Sequence, residues 1–153
     1  MPKFQHHIFI CTNQREAGHP RGSCDPTGEG LLQKTFKKQL AGHGIRGDVV
    51  RANKSGCLEQ CEHGPTVVVY PEAVWYGGVT VDDVSEIVES HIVGGKPVER
   101  LVIADACLNA PTCPHKPRKW WPCANPVPVV AFRVIHLIDR IGYLPGILSQ
   151  HSE

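Results

Sequence analysis

Two cysteines, Cys57 and Cys61, stand four positions apart in a loop that is bounded by Gly56 and Gly64. The most strand-like run of the chain, Thr-Val-Val-Val-Tyr at residues 66–70, follows almost directly. A Cys-x3-Cys spacing can place both sulfurs on one side of a single helical turn, where they can grip one inorganic centre. The spacing therefore predicts a metal-binding loop that leads into a central strand.

Two further cysteines, Cys11 and Cys24, would complete a set of four thiolates. Nothing at the N-terminus resembles a signal peptide, and no apolar run reaches the roughly 18 residues of a membrane span, so we expect a cytoplasmic chain. Disulfides are rare there, and clustered cysteines more often bind metal or do redox work. The total of seven cysteines is odd, which excludes complete internal pairing. We therefore interpret the four thiols as ligands.

Four thiolates suit two kinds of centre, and the spacing alone does not choose between them. One is a cluster of two irons and two sulfides, with two thiolates on each iron, and the other is a structural zinc ion. A thiol–disulfide enzyme is less favoured, because Cys-x3-Cys replaces the usual Cys-x-x-Cys. A buried cluster needs backbone N–H donors near its sulfurs, and residues without a side chain allow that approach. Candidates are Gly18, Gly22, Gly56 and Gly64.

The order of the predicted elements indicates the fold class. Apolar residues recur with strand or helix periodicity along the first two thirds of the chain. The predicted elements are a strand over 6–10, a helix carrying Leu32, Phe36 and Leu40, a strand over 45–51, a hairpin of 66–70 and 74–79, a helix carrying Val84, Ile87, Val88 and Ile92, and a short strand or extended arm over 98–103. This order fits an α/β, thioredoxin-like fold, a small mixed sheet flanked by helices with a C-terminal extension. That fold often carries a cis-proline at the place of Pro65, although the sequence leaves the isomer open.

Composition changes beyond residue 103, and it predicts three parts. These are a domain over 1–103, a Cys/Pro-rich linker over 104–126, and an amphipathic helix with a tail over 127–153. Thiol and imidazole groups of the linker could bind a second metal ion such as zinc, with free thiols as the alternative. The residues concerned are Cys107, Cys113, His115 and Cys123.

The full spacing, Cys11-x12-Cys24-x32-Cys57-x3-Cys61, and its surroundings resemble the thioredoxin-like 2Fe-2S ferredoxins, which are relatives of the small iron-sulfur subunit of respiratory NADH dehydrogenases. The resemblance covers roughly residues 4–103. It is carried by residues 7–11, 18–24, 56–57, 61, 64–71, 74–77, 86–91 and 94–101. By similarity, Cys11 and Cys24 would bind one iron, and Cys57 and Cys61 the other. The family also implies a homodimer and a low reduction potential.

The resemblance predicts a one-electron carrier between redox partner proteins, rather than an enzyme. The alternatives are an electron-transfer subunit of an NADH- or hydrogen-linked oxidoreductase complex, and a structural zinc interaction module. Sixteen basic against fifteen acidic residues argue against nucleic-acid binding, which normally needs a strongly basic face. Carboxylates near the thiols in sequence could form a small acidic docking rim for a basic partner. They belong to Asp25, Glu29, Glu59 and Glu62.

Overall fold

A mixed four-stranded sheet with the order β2-β1-β3-β4 organises the chain. The structure is a computed structural model that describes residues 3–110 and Cys113. β1 and β2 run parallel, while β3 is antiparallel to β1 and β4 is antiparallel to β3. The strands are β1 (His6–Cys11), β2 (Val50–Ser55), β3 (Val67–Tyr70) and β4 (Val74–Tyr76). The predicted first strand and the predicted hairpin are thereby confirmed.

Helix α1 (Leu31–Gly42) makes the crossover that two parallel strands require. Its buried face carries Phe36 and Leu40, as the helical spacing predicts, and Leu32 packs against the same core. Gly30 precedes the helix in the left-handed region, with φ 66°. The sequence pattern therefore identifies this helix correctly.

The second helix begins as α2 (Asp83–Glu86) and continues as a π-helix over Ile87–Val93. Its predicted apolar face is confirmed, since Val84, Ile87, Val88 and Ile92 are all buried. At its start, the backbone N–H and the hydroxyl of Thr80 donate to the Asp83 carboxylate at 2.8 and 2.6 Å. That carboxylate thereby accepts backbone and side-chain donors just before the first turn.

The π-helix also turns His91 inward, where the side chain is 1% exposed. Its Nδ1 lies 2.7 Å from the hydroxyl of Tyr76, which in turn accepts the backbone N–H of Val98 at 3.2 Å. Burial lowers the pKa of His91 and raises the pKa of Tyr76 to about 12. Both groups are therefore neutral at physiological pH, and they link the helix, β4 and the following segment inside the core.

The second strand is displaced from its predicted position at residues 45–51. Strand β2 begins at Val50, because the preceding residues form a turn in which the Val49 N–H donates to the Arg46 carbonyl at 2.9 Å. Two guanidinium nitrogens of Arg46 donate hydrogen bonds to the two carboxylate oxygens of Asp48, at 3.0 and 2.7 Å. A hydrogen-bonded turn that includes Gly47 therefore occupies the first half of the predicted strand.

Two other predicted strands are shorter than expected. The strand predicted over 74–79 ends as β4 at Tyr76, because two glycines follow and Gly78 adopts a left-handed φ of 62°. Residues 98–103 form a 3-10 turn at Glu99–Leu101 and then a single bridge to β4, rather than a regular strand. The alternative expectation of an extended arm is closer to the observed path.

The two faces of the sheet differ in what covers them. Both helices pack on the face that carries Ile8, Ile10, Val67 and Val69, and together they form the main core. The register places an aromatic group on the opposite face, where the rings of His7 and Phe9 stack at 4.1 Å. This side of the sheet, called here the aromatic face, consists of His7, Phe9, Tyr70 and Trp75.

The first residues beyond the predicted domain boundary contact the domain. Ile103, Cys107 and Cys113 form a second small buried cluster beside Trp75. The predicted helix over 127–153 and most of the predicted linker, including His115 and Cys123, lie outside the described residues. Within the described ranges, every helix is too short or too polar to cross a membrane.

Candidate metal centre

The four predicted ligands come from three segments that meet at one end of the sheet. Cys11 is the last residue of β1, Cys24 lies in the loop that leads to α1, and Cys57 and Cys61 lie between β2 and β3. The parallel register sets Cys11 opposite Ser55, two positions before Cys57. Pairing of the strands therefore brings distant parts of the sequence together.

Cys57 and Cys61, called here the outer pair, have sulfurs that lie 3.4 Å apart. They do not share a helical turn, contrary to the expectation from their spacing. Glu59 between them adopts a left-handed φ of 58°, and Cys61 opens a 3-10 turn at Cys61–His63. The reversal at Glu59 folds the loop back and brings the sulfurs together, while Cys57 stays only partly buried.

Cys11 and Cys24, called here the inner pair, are 2% and 8% exposed. A hydrogen bond from Cys24, aided by backbone donors at Asn13 and Leu58, lowers the pKa of Cys11 to about 6 despite burial. The same contact with Cys11, followed by burial, raises the pKa of Cys24.

Gly64 allows the backbone to approach the inner pair closely. A Cβ at this position would lie 2.7 Å from the sulfur of Cys24, which is too close for any real contact. The prediction of a close backbone approach is thus confirmed at Gly64. At Gly18, Gly22 and Gly56 a Cβ would meet nothing within 4 Å, and a close approach of their backbone to the centre stays a prediction.

Arg15 is a site residue that the sequence interpretation missed. Its guanidinium donates to the sulfur of Cys61 at 3.0 Å and to the sulfur of Cys57 at 3.6 Å. These hydrogen bonds, to Cys61 first and then to Cys57, raise the pKa of Arg15. The spacing gives no sign that this side chain crosses to the outer pair. The available signal was the need of an anionic site for a cation, since Arg15 stands between the first two cysteines.

A second arginine on the same loop changes the character of the predicted acidic rim. Arg21 pairs with Glu59 at 3.2 Å and with Glu62 at 3.3 Å, which offsets both carboxylates. Asp25 turns inward, and its carboxylate accepts the backbone N–H of Gly30 at 2.7 Å. The predicted rim is therefore wrong at Asp25, and at the two glutamates it is a mixed-charge surface.

The remaining described thiols lie in another part of the fold. Cys107 and Cys113 belong to the small buried cluster beside Trp75, and the other two predicted ligands of a second metal lie outside the described residues. Within residues 3–110 and Cys113, no three histidine, cysteine or acidic side chains are grouped so as to hold a single metal ion. A second metal site stays a prediction.

Comparison with known proteins gives a consistent set of relatives. No family model matches the chain. A 2Fe-2S ferredoxin of Clostridium pasteurianum is 48% identical over 99 residues, which are 65% of this chain and 96% of that protein. A 2Fe-2S ferredoxin of Aquifex aeolicus is 43% identical over 104 residues, 68% of this chain and 93% of that protein.

The solved structures agree with these relatives. The crystal structure of the thioredoxin-like [2Fe-2S] ferredoxin from Aquifex aeolicus superposes with a TM-score of 0.61 at 43% identity, and the match covers 65% of this chain and 97% of that one. The match confirms the α/β, thioredoxin-like fold. Since the relatives are matched over nearly their whole length, the chain belongs to the family of thioredoxin-like [2Fe-2S] ferredoxins.

Proposed function

We propose that this chain is a one-electron carrier and that Cys11, Cys24, Cys57 and Cys61 hold its 2Fe-2S cluster. The observation that carries the proposal is the arrangement of the sulfurs in two pairs. The outer sulfurs lie 3.4 Å apart, and the inner thiols share a hydrogen bond. Two thiolates on each of two irons is the arrangement that such a cluster takes.

The surroundings of the thiols fit an anionic group of this kind. The inner pair receives backbone donors from Asn13 and Leu58, and Gly64 leaves room beside Cys24. The outer pair receives the guanidinium of Arg15. The cluster supplies reversible one-electron oxidation and reduction, and hydrogen bonds to its sulfurs and its exposure to solvent set the potential. The chain contributes ligands, N–H donors and exclusion of water.

The partly buried Cys57 marks the point at which electrons enter and leave. The inner pair lies beneath the sheet end and is closed to solvent, so a redox partner protein would dock over the outer pair. The surface there carries Arg21 paired with Glu59 and Glu62. Because charges of both signs lie side by side, this surface would orient a docking partner at short range. It would not strongly attract a highly charged partner from a distance.

The proposal is tested by anaerobic purification of the full chain, with visible spectra before and after dithionite and counts of iron and zinc. We expect two irons per chain and bleaching on one-electron reduction. Cys24→Ala and Cys57→Ala should both lose the normal spectrum. Cys107→Ala removes a buried thiol of the separate cluster and is the matched control, which should keep it.

Three results would contradict the proposal. The first is a normal spectrum in Cys57→Ala, which would remove that residue from the ligand set. The second is loss of iron in Cys107→Ala with full retention in Cys24→Ala. The third is a colourless protein with stoichiometric zinc under anaerobic conditions, which would favour the zinc interaction module.

We also propose that the carrier is a homodimer that pairs through the aromatic face of its sheet. Support comes from Tyr70, which is 42% exposed at the edge of that face, and from its position in the register beside His7. Tyr70→Glu would place a charge in such an interface. Sedimentation should give a dimer for the wild type and a monomer for the variant. A wild-type monomer at micromolar concentration would exclude this pairing.

A cytoplasmic location is a further proposal, since ligand thiols must stay reduced. Cys11, Cys24, Cys57 and Cys61 are free thiols. Fractionation of the native host should place the protein with cytoplasmic markers. Recovery with an extracytoplasmic fraction would contradict the location.

The division of the chain at residue 103 also stays a proposal. A chain that ends at residue 113 retains the small cluster beside Trp75 and all four proposed ligands. We expect it to keep two irons and the spectrum of the full chain. Loss of iron would show that part of residues 114–153, which include the rest of the linker and the predicted helix and tail, belongs to the cluster domain.

A further inference from the structure

We propose that Arg15 raises the electron affinity of the centre by stabilising its reduced state through the sulfurs of Cys57 and Cys61. This inference rests on the proposed function, because it requires those two thiolates to be ligands. Arg15 would be a positioning and tuning residue, and it would take no part in ligation. Its role would be separate from that of Arg21, the other arginine of the same loop.

The guanidinium is held in place over the outer pair. One of its terminal nitrogens donates to Cys61, and also to the carbonyl of Gly22 at 3.1 Å, while the other terminal nitrogen donates to Cys57. A planar fork that contacts two acceptors at once is a property of arginine that lysine lacks. The side chain therefore spans the pair.

The backbone of Arg15 is fixed by the residue that precedes Cys24. The Arg15 N–H donates to the Ser23 hydroxyl oxygen at 2.9 Å, and that hydroxyl donates to the Arg15 carbonyl at 3.2 Å. The loop that supplies one inner ligand thus carries a cation to the outer pair. The two halves of the site are linked through one loop segment, residues 15–24.

The charge of Arg15 remains available to the sulfurs. Arg21 pairs with Glu59 and Glu62, which offset its charge. Among the described residues, Arg15 forms no ion pair with a carboxylate. Reduction adds one negative charge to the centre. A fixed cation and N–H donors to sulfur favour the more negative state, because both interactions strengthen as the acceptor gains charge.

The test is a redox titration of full-length protein, restricted to preparations with two irons per chain. Arg15→Gln removes the charge, and Arg15→Lys keeps the charge without the fork. At a fixed potential, we expect the ratio of reduced to oxidised protein to fall about tenfold in Arg15→Gln, equivalent to a shift of about 59 mV to lower potential. The ratio of reduced to oxidised protein in Arg15→Lys should lie between the ratios of Arg15→Gln and the wild type.

Arg46→Gln is the matched control, since it removes the same charge from the turn before β2, where Arg46 pairs with Asp48. The ratio of reduced to oxidised protein in Arg46→Gln should stay within about twofold of the wild-type ratio, because solvent screens a distant surface charge. The potential of the wild type should also depend more strongly on salt than that of Arg15→Gln.

A purely structural role predicts a different pattern. Arg15→Gln would then lose iron or melt earlier, while the molecules that keep two irons would have the wild-type potential, and this result would overturn the inference. If Arg15→Gln does not fold, a wild-type potential in Arg15→Lys overturns it equally. Failure of the proposed function looks different, since it appears as zinc in the wild type or as a normal spectrum in Cys57→Ala.

Discussion

The inner and outer pairs of thiols are built by different means. Cys11 ends a buried strand, and Cys24 lies against the backbone at Gly64, so the core and the main chain fix both positions. The outer pair sits in a reversing loop, and charged side chains surround it. Backbone support fixes the place of a group, whereas a charged side chain beside it changes its electrostatic properties. The comparison suggests that the inner pair anchors the centre and that the outer pair tunes it.

Serine substitution in each pair should give the largest difference. A serine in place of Cys11 encloses a poorly ionised hydroxyl in the core, and a hydroxyl is a weaker ligand for iron than a thiolate. At Cys57 the ligand is partly open to water, which can solvate the oxygen. We expect Cys11→Ser to retain several-fold less iron than Cys57→Ser. Iron counts and visible spectra of anaerobic protein measure this. Equal iron content in the two variants would show that the inner and outer pairs do not differ in how they hold the centre.

A methyl group beside the inner pair is the next test. Gly64→Ala places a Cβ 2.7 Å from the Cys24 sulfur, and overpacking of this kind costs about 1–3 kcal/mol. Gly56→Ala adds the same atom next to the outer pair, in open space, and should change stability by less than about 0.5 kcal/mol. Denaturant unfolding of both variants checks the difference. Similar losses at the two glycines would show that the inner pair is not the more tightly enclosed.

The hydrogen bonds of the Tyr76 hydroxyl inside the core should affect the stability of the fold without affecting the reduction potential of the metal centre. Tyr76→Phe removes the hydroxyl that serves His91 and Val98, and leaves two buried polar groups unpaired. We expect a loss of about 2 kcal/mol in the free energy of unfolding. The reduction potential of Tyr76→Phe should match the wild type, and a clear shift would show that the tuning extends beyond the outer pair.

The smallest change in the free energy of unfolding is expected for a substitution of Asp83, at the start of the second helix. Burial would raise the pKa of Asp83, but hydrogen bonds from Thr80 and from Arg100 outweigh it and lower that pKa. A carboxylate with a lowered folded pKa stabilises the protein above its unfolded pKa of about 3.9, and the contribution is lost as pH falls through the folded value.

Asp83→Asn should therefore cost about 1 kcal/mol at neutral pH, and the gap from the wild type should close in acid. Asp48→Asn, at the exposed Arg46 pair, is the control and should cost less than about 0.5 kcal/mol. Unfolding curves from pH 7 downward distinguish the two. A gap at Asp83 that stays constant in acid would exclude the titration of this carboxylate as its cause.

Apolar periodicity predicted most of the fold, and the assignment of the four thiols as ligands stays a prediction. Helix α1, the hairpin and the inward face of the second helix follow from local apolar patterns, which the tertiary structure reinforces. The start of β2 could not be predicted in this way, since the backbone forms a turn over residues 46–49 that the apolar pattern does not reveal. Arg15 was missed because its contact with Cys61 spans 46 residues and depends on the path of a loop.

The parallel pairing of β1 with β2 has a consequence for the order of events during synthesis. Cys11 and Cys24 leave the ribosome well before Cys57 and Cys61, and the register that joins Cys11 to Ser55 exists only after β2 has been made. The proposed ligand set is thus complete only in a chain whose sheet has formed. Iron and sulfide delivered to a chain that ends before β2 would find only two of the four proposed ligands, so a complete cluster requires that both halves of the parallel pair have been made.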